Sequence, residues 1–451
     1  MTYSEKYADF LLSLKLENIP ESVINKAKEL MIDTIGTALA GSQQETVKYF
    51  LDGISSLVLA SGDYQVWGRT DKLSPEYAAM INGISSHILD FDDTHTEAIL
   101  HGSAIFTPLC LTYGFSQCKD GKKIIKAFIA AWEIAARVGK TSNGSFHERG
   151  FHSTAISGIF GAVAAMAIIL DLNQSQIINA FGIAGSFASG INEFLSNGSN
   201  SKVLHIANTI QNSILIAHLS KAGITGPKTV FEGRDNIFKC FGIQNNSSLD
   251  KLDEGLGTNW EISNVSIKPY PCCHFAHGLI DCMKAIRENG IIERDIAKIT
   301  CFVDPIPISF ICSPLEQKQC PQTEYEAKFS MPFLLSLMFF DGKITLDSYK
   351  DLNRPEVLAL AKKISYQERT SCGFPKYFPG HLEVTLVNGE IIRKDIFINK
   401  GNSENPLSKE ELEYKFLHNV ENIVKSPLHV FNYIYSLEEQ SSMIDFHMNN
   451  S

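Results

Sequence analysis

Asp90-Phe91-Asp92-Asp93-Thr94-His95, with His101-Gly102-Ser103 shortly after, gathers three carboxylates, several hydroxyls and two imidazoles into one short stretch. The apolar, small-residue run from Tyr77 to Ile88 precedes it and reads as a buried helix. Three unpaired carboxylates are costly to bury. The cluster is therefore expected at a helix end or a cleft mouth, where it binds a ligand, caps a helix or handles protons. Taken alone, capping accounts for it as well as chemistry does.

Other candidates lie further along. Arg137 stands near the end of a helix at 132–140. His152 comes just before an apolar helix at 153–170, where backbone N–H groups and the helix dipole favour an anion. Lys202 follows the loop Asn197-Gly198-Ser199-Asn200-Ser201, which could close around a ligand. Lys268-Pro269-Tyr270-Pro271-Cys272-Cys273-His274 takes an extended path to an expected helix start near Cys273, where a thiol pKa can fall. No triad pattern accompanies that cysteine, so packing or ligand contact is the better account, and His277, one turn on, is expected to be structural. The cations suit a carboxylated substrate, and imidazoles with an ordinary pKa of about 6.5 suit proton transfer near neutrality. The chain has no GxGxxG after a strand, no P-loop, no GxSxG and no metal-ligand spacing. The residues thus point to acid–base chemistry on a small polycarboxylate with no metal or other cofactor.

The elements that must position these groups follow from composition and periodicity. A chain of 451 residues implies two or more domains, and 44% hydrophobic with 20% charged residues is a globular balance. A net charge of -10 argues against nucleic acid and against an anionic membrane surface. An anionic ligand must then be met by a local cationic pocket. The longest apolar run, Ala155 to Leu170, is shorter than the ~20 residues of a membrane span. Met1 to Phe10 lacks a secretory apolar core, and ten cysteines without such a signal imply free thiols in a reducing compartment, so a cytoplasmic protein is expected.

Apolar spacings of three and four place helices at 21–39, 76–90, 104–116, 122–138, 153–170, 175–189 and 201–222. The texture changes near 262. Ile299 to Val303 reads as a strand, His381 to Ile398 as a hairpin turning at Asn388-Gly389, and 273–288, 327–339 and 354–363 as helices. A polar linker at 400–406 leads to a capping box at Ser408-Glu411 and a helical tail to 445. The expected fold is mainly α: an all-helical domain at 1–262, completed by 406–445, with an α+β segment at 263–400.

LDFDDTHTEAILHGSA (89–104), AARVGK (135–140), GFHSTAISGIFGAVAAMA (150–167), GSNSKVLHIANTIQNSILIAHLSKAGITGP (198–227), KPYPCCHFAHG (268–278) and EAKFSMPF (326–333) resemble, in order, the motifs of the MmgE/PrpD family. That family includes 2-methylcitrate dehydratases, cis-aconitate decarboxylases and iminodisuccinate epimerases. The resemblance implies a helical domain with an inserted α+β lid, a homodimer, an active site between the domains and no cofactor. By motif position it points to Asp90, Thr94, His101, Arg137, His152, Lys202 and Lys268. Some relatives place a histidine after that lysine, a role that falls here to Cys273 or His274. Gly102 stands where many members have proline.

Each family reaction breaks a bond at a carbon next to a carboxylate. Cationic groups stabilise the charge that develops, and a histidine delivers or removes the proton. The expected function is a lyase that dehydrates a 2-methylcitrate-like acid or decarboxylates a cis-aconitate-like one. Alternatives are an epimerase of an iminodisuccinate-like dicarboxylate and a non-catalytic dimeric carboxylate-binding protein. The presence of all the cationic and imidazole positions argues against the last.

Overall fold

The computed structural model describes residues 1–442 apart from 197, 244–245, 371–372 and 374–375. Asn197 of the expected ligand loop and residues 443–445 of the expected tail lie outside the described residues. The chain is mainly helical with small sheets, and it divides into two compact units, Met1–Ile267 with Ser408–Ser451, and Lys268–Leu407.

In the first unit Ser153–Ile169 is apolar all round and every one of its residues is buried, as expected of a helix enclosed by others. Gly121–Thr141 and Ser201–Lys221 pack against it. Asp120 starts Gly121–Thr141 by accepting the N–H groups of Lys122 and Lys123. Pro75–His87 begins on a proline, lies between Glu21–Gly41 and Ser201–Lys221, and stops three residues short of the expected end at 90. The helix expected at 104–116 is Ser103–Pro108 followed by a π-helical segment at Leu109–Gly114; Pro108 has no N–H to give the regular ladder. Lys409–Val420 returns to this unit, opening on the Ser408–Glu411 capping box, and packs on Glu21–Gly41.

The unit is not all-helical. Tyr64–Gln65 pairs with Lys72–Leu73, and Thr94–His95 pairs with Val265–Ser266, both antiparallel. The second ladder satisfies buried backbone groups in the acidic stretch. Among the described residues, no helix is long and apolar enough to cross a membrane.

The second unit has a four-stranded sheet in the order Ile364–Glu368, Ile296–Val303, Gly380–Leu386, Ile391–Ile396, with the first pair parallel and the others antiparallel. The expected hairpin is the last pair, and Gly389 takes the positive φ, 87°, that its turn requires. His277–Glu288 and Met331–Asp341 supply the apolar cover of the sheet's core. The helix expected at 327–339 is broken: Glu324–Lys328 ends, and Ser330 caps a new start by accepting the Phe333 N–H at 3.2 Å.

Candidate active site

The site is built from the point where Pro75–His87 stops. Asp90 adopts φ 55°, a left-handed conformation that Asp tolerates better than most residues. The chain folds back there, so neighbouring carboxylates face different partners. Asp92 Oδ2 lies 2.7 Å from His87 Nδ1, with both side chains fully buried. Asp90 Oδ1 accepts Lys202 Nζ at 2.6 Å. The Asp93 carbonyl accepts His101 Nδ1 at 2.7 Å, and Thr94 Oγ1 is 3.3 Å from the same nitrogen. A carbonyl can only accept, so Nδ1 of His101 carries the proton, which makes Nε2 the basic nitrogen of the neutral ring. The His101 N–H donates to Thr154 Oγ1 at 3.1 Å, which ties this loop to the helix after His152. Burial holds the Asp93 carboxyl well above the usual carboxylate range, against the pull of its bonds to Ser103.

Four imidazoles follow one another through the site. The His87 ring lies 5.3 Å from that of His101 and stacks on that of His152 at 5.7 Å and 26°. His152 is next to His205, with their Nδ1 atoms 3.1 Å apart. Two nitrogens at that distance need one proton between them. Gly190 (φ 114°) lets the backbone pass the His205 ring: a Cβ there would come within 3.0 Å of it, and its carbonyl accepts the His152 N–H. Gly102, where many family members have proline, is closely packed too; a Cβ would lie 2.6 Å from the Phe106 ring and 2.8 Å from Trp132.

Burial lowers the pKa of His87, against Asp92, and lowers His152 well below its ordinary value, with the neighbouring His87 and Lys202 acting in the same direction. His205 falls to about 4, through burial and then His87 and Lys202. These rings are therefore neutral bases near pH 7, and an anion placed among them would raise their pKa. Because the unfolded chain takes up the protons that these rings refuse, they lower stability as pH falls from about 6.5. The buried Asp93 and Asp33 carboxyls, held above their ordinary values by burial, act in the opposite sense. One direct check is histidine NMR at pH 5.5, where an ordinary imidazole is about nine-tenths protonated. The His205 and His152 rings are expected to stay neutral there and to take up protons when a tricarboxylate is added. Titration of both near 6.5 without ligand would contradict this.

Asp90, Thr94, His101, His152 and Lys202, all expected from the sequence, thus meet in one unit. His87 and His205 join Asp92 of the acidic stretch without any sequence motif pointing to them. His87 ends a helix five residues before Asp92, and His205 is one turn after Lys202; those spacings are the only signals the sequence carries for them. His87 Nε2 is buried with no hydrogen-bond partner.

Arg137 does not join this group. Its Nη1 pairs with Glu133 Oε2 at 2.7 Å, both side chains fully buried, and its Nη2 donates to the Asn259 carbonyl at 2.8 Å. Glu133 in turn accepts the N–H groups of Glu261 and Ile262 at 3.1 and 3.0 Å. The guanidinium expected to bind substrate is instead committed to holding the segment 254–262. Next to it, Glu261 is shared by His95 and Lys140, at 3.1 and 2.8 Å.

The remaining candidates belong to the second unit. Lys268 is fully buried. The Cys273 N–H donates to the Lys328 carbonyl at 2.9 Å. Cys273 precedes a single 3₁₀ turn, His274–Ala276, and the helix proper starts at His277, four residues later than expected. The His274 ring packs 4.6 Å from that of His277 and 4.9 Å from that of Phe378, with Asn399 Nδ2 at 3.3 Å from its Nε2. His277 is fully buried, 3.4 Å from the Cys272 carbonyl, consistent with a structural ring. Among the described residues, no three His, Cys, Asp or Glu side chains are grouped so as to hold a metal ion.

Comparison with known proteins agrees with the motifs. Residues 5–250 match the model of the MmgE/PrpD N-terminal domain, and 270–430 that of the MmgE/PrpD C-terminal domain. The chain is 28% identical over 428 residues to a cis-aconitate decarboxylase of Homo sapiens, covering 92% of this chain and 86% of that protein. It is 26% identical to the cis-aconitate decarboxylase of Mus musculus, with the same coverage. One from Aspergillus terreus is 26% identical over 374 residues, covering 78% of this chain and 76% of the relative.

Proposed function

This chain belongs to the MmgE/PrpD family, and from that premise we propose that it is a lyase that decarboxylates a small tricarboxylate of the cis-aconitate type by histidine acid–base chemistry. The observation that carries the reading is the row of imidazoles, His87 and His152 buried and neutral among them, beside the Lys202–Asp90 pair. A lysine next to the substrate's carboxylate stabilises charge that spreads into it. In decarboxylation the carbon–carboxyl bond breaks, CO2 leaves, and the electron pair stays in the skeleton, delocalised into a remaining carboxylate. A protonated imidazole then returns a proton to carbon. The substrate's own negative charge helps to protonate a ring that is neutral without it.

Dehydration of a 2-methylcitrate-like acid uses the same groups in another order: one imidazole takes the proton next to a carboxylate, and a second, protonated imidazole gives one to the hydroxyl, which leaves as water. The relatives' activity favours decarboxylation. His101, His152 and Asp90 are the proposed proton-transfer and orienting groups, with Thr94 and Lys202 as substrate ligands. Lys268, Cys273 and His274 enter this reading on motif resemblance alone. No metal or organic cofactor is required by it, and the protein is read as a homodimer of the 50.0 kDa chain in the cytoplasm.

Incubation with cis-aconitate, 2-methylcitrate or iminodisuccinate in deuterated water tests the proposal. The expected outcome is CO2 release from cis-aconitate and one deuterium in the product, undiminished by a chelator. Alkene formation from 2-methylcitrate alone would move the reading to a dehydratase. Deuterium exchange of iminodisuccinate without net conversion would move it to an epimerase, and binding without turnover of any of them would refute an enzyme of this kind.

A further inference from the structure

Phe91 separates the two carboxylates that serve the site, and its surroundings come from the far end of the chain. Lys415, on Lys409–Val420, donates its Nζ to the Phe91 carbonyl at 3.0 Å. The same ammonium lies 3.8 Å from the centroid of the Phe91 ring, a cation–π distance. It also pairs with Asp33 Oδ1 at 2.5 Å. All three side chains are buried, Asp33 at 2%, Lys415 at 7% and Phe91 at 5% exposure. One cation thus grips Phe91 by backbone and ring at once, and Asp33 on Glu21–Gly41 fixes that cation in place.

The position of the grip matters. The preceding residue, Asp90, is in the left-handed region at φ 55°, a conformation that surrounding contacts must hold. From that turn Asp90 reaches Lys202 at 2.6 Å, and from the residue after Phe91 Asp92 reaches His87 at 2.7 Å. A peptide that rotated at Phe91 would move both carboxylates off their partners. An ordinary hydrophobic anchor would need no ammonium at this depth. An ion pair that served packing alone would have no call for the carbonyl and the ring.

We propose that Lys415, held by Asp33, is a positioning residue that locks the Phe91 peptide and thereby sets Asp90 against Lys202 and Asp92 against His87. The inference rests on the assignment of this cluster as the active site. It makes the helix Lys409–Val420 a working part of that site, although it contributes no group to the chemistry.

Lys415→Met keeps the length of the side chain and removes both charge and donor, but it leaves Asp33 buried without its partner and is expected to melt earlier. Asp33→Asn/Lys415→Met removes that orphaned charge as well. Two quantities are compared across the unaltered protein and both variants, below the melting temperature of each. One is kcat and KM for the polycarboxylate turned over. The other, recorded without substrate, is the downfield proton resonance of His87 Nδ1–H on Asp92, assigned by its absence from His87→Asn. The double variant is expected to regain melting temperature over the single one, yet to keep kcat about 100-fold down with KM little changed, and to lack the resonance. Recovery of kcat together with melting temperature would make the pair purely structural and overturn the proposal. So would a resonance that persists in the double variant, whatever happens to turnover. If the unaltered protein turns over none of the acids, the assigned activity fails, while the substrate-free resonance still decides the positioning role.

Discussion

His152→Gln and His101→Gln are each expected to lower turnover by about 10²–10⁴-fold, the usual effect of losing a placed acid–base group, with the chain still folded. Glutamine keeps a polar side chain of similar reach but cannot exchange a proton at neutral pH. The two rings are not equivalent. His101 is the more open, with 15% of its side chain exposed while His152 is buried, and the His101 Nδ1 is held by the Asp93 carbonyl. In the neutral ring its Nε2 is therefore the basic nitrogen. His152 is enclosed between His87 and His205, and its low basicity suits it to accept a proton only when an anion is beside it. Each loss is expected to lower the rate across the whole pH range. Steady-state kinetics with circular dichroism on the same samples checks this. A folded double variant with full turnover would end the assignment.

What the sequence made legible was local. Asn388-Gly389 between alternating apolar residues specifies a hairpin, and the mainly apolar run of Ser153–Ile169 specifies a helix with no solvent face. The acidic stretch after Ile88 lies at a helix end, as expected, but its three carboxylates are buried there rather than held at an open mouth. Its pairings were not legible. Asp90 and Lys202 are 112 positions apart, and Phe91 and Lys415 are 324 apart, so no spacing rule links them. His87 and His205 sit on helices whose patterns are satisfied by apolar residues, and a single histidine in such a pattern carries no signal of its own. The helix break at Ser330 is marked in the sequence by Pro332 in the first turn of the new helix, but the helical spacing kept from Ala327 to Phe339 obscures it.

Arg137 is a different case, a cation in a family motif whose guanidinium is paired with Glu133. Arg137→Met is expected to cost about 3–5 kcal/mol of stability, because it leaves Glu133 charged and enclosed without its partner. The loss should depend on pH in a defined sense. Burial already raises the Glu133 carboxyl, and Arg137 is the principal group that pulls it down, helped by the Ile262 and Glu261 N–H groups. Without Arg137 the folded pKa rises further above that of the unfolded chain. A carboxyl raised in the folded state binds protons that the unfolded state releases, so its contribution falls as pH rises. The variant should therefore be closest to the unaltered protein near pH 5 and furthest from it near pH 8. Where it remains folded, its KM for the polycarboxylate should change little, since the guanidinium is occupied by Glu133 and by the carbonyl of Asn259. Thermal melts across that pH range and KM measured at low temperature separate the two roles. A variant with unchanged melting temperature and a KM raised tenfold or more would return Arg137 to the substrate. A fall in stability that widens with pH fixes it as the residue that fastens segment 254–262 to the helix Gly121–Thr141.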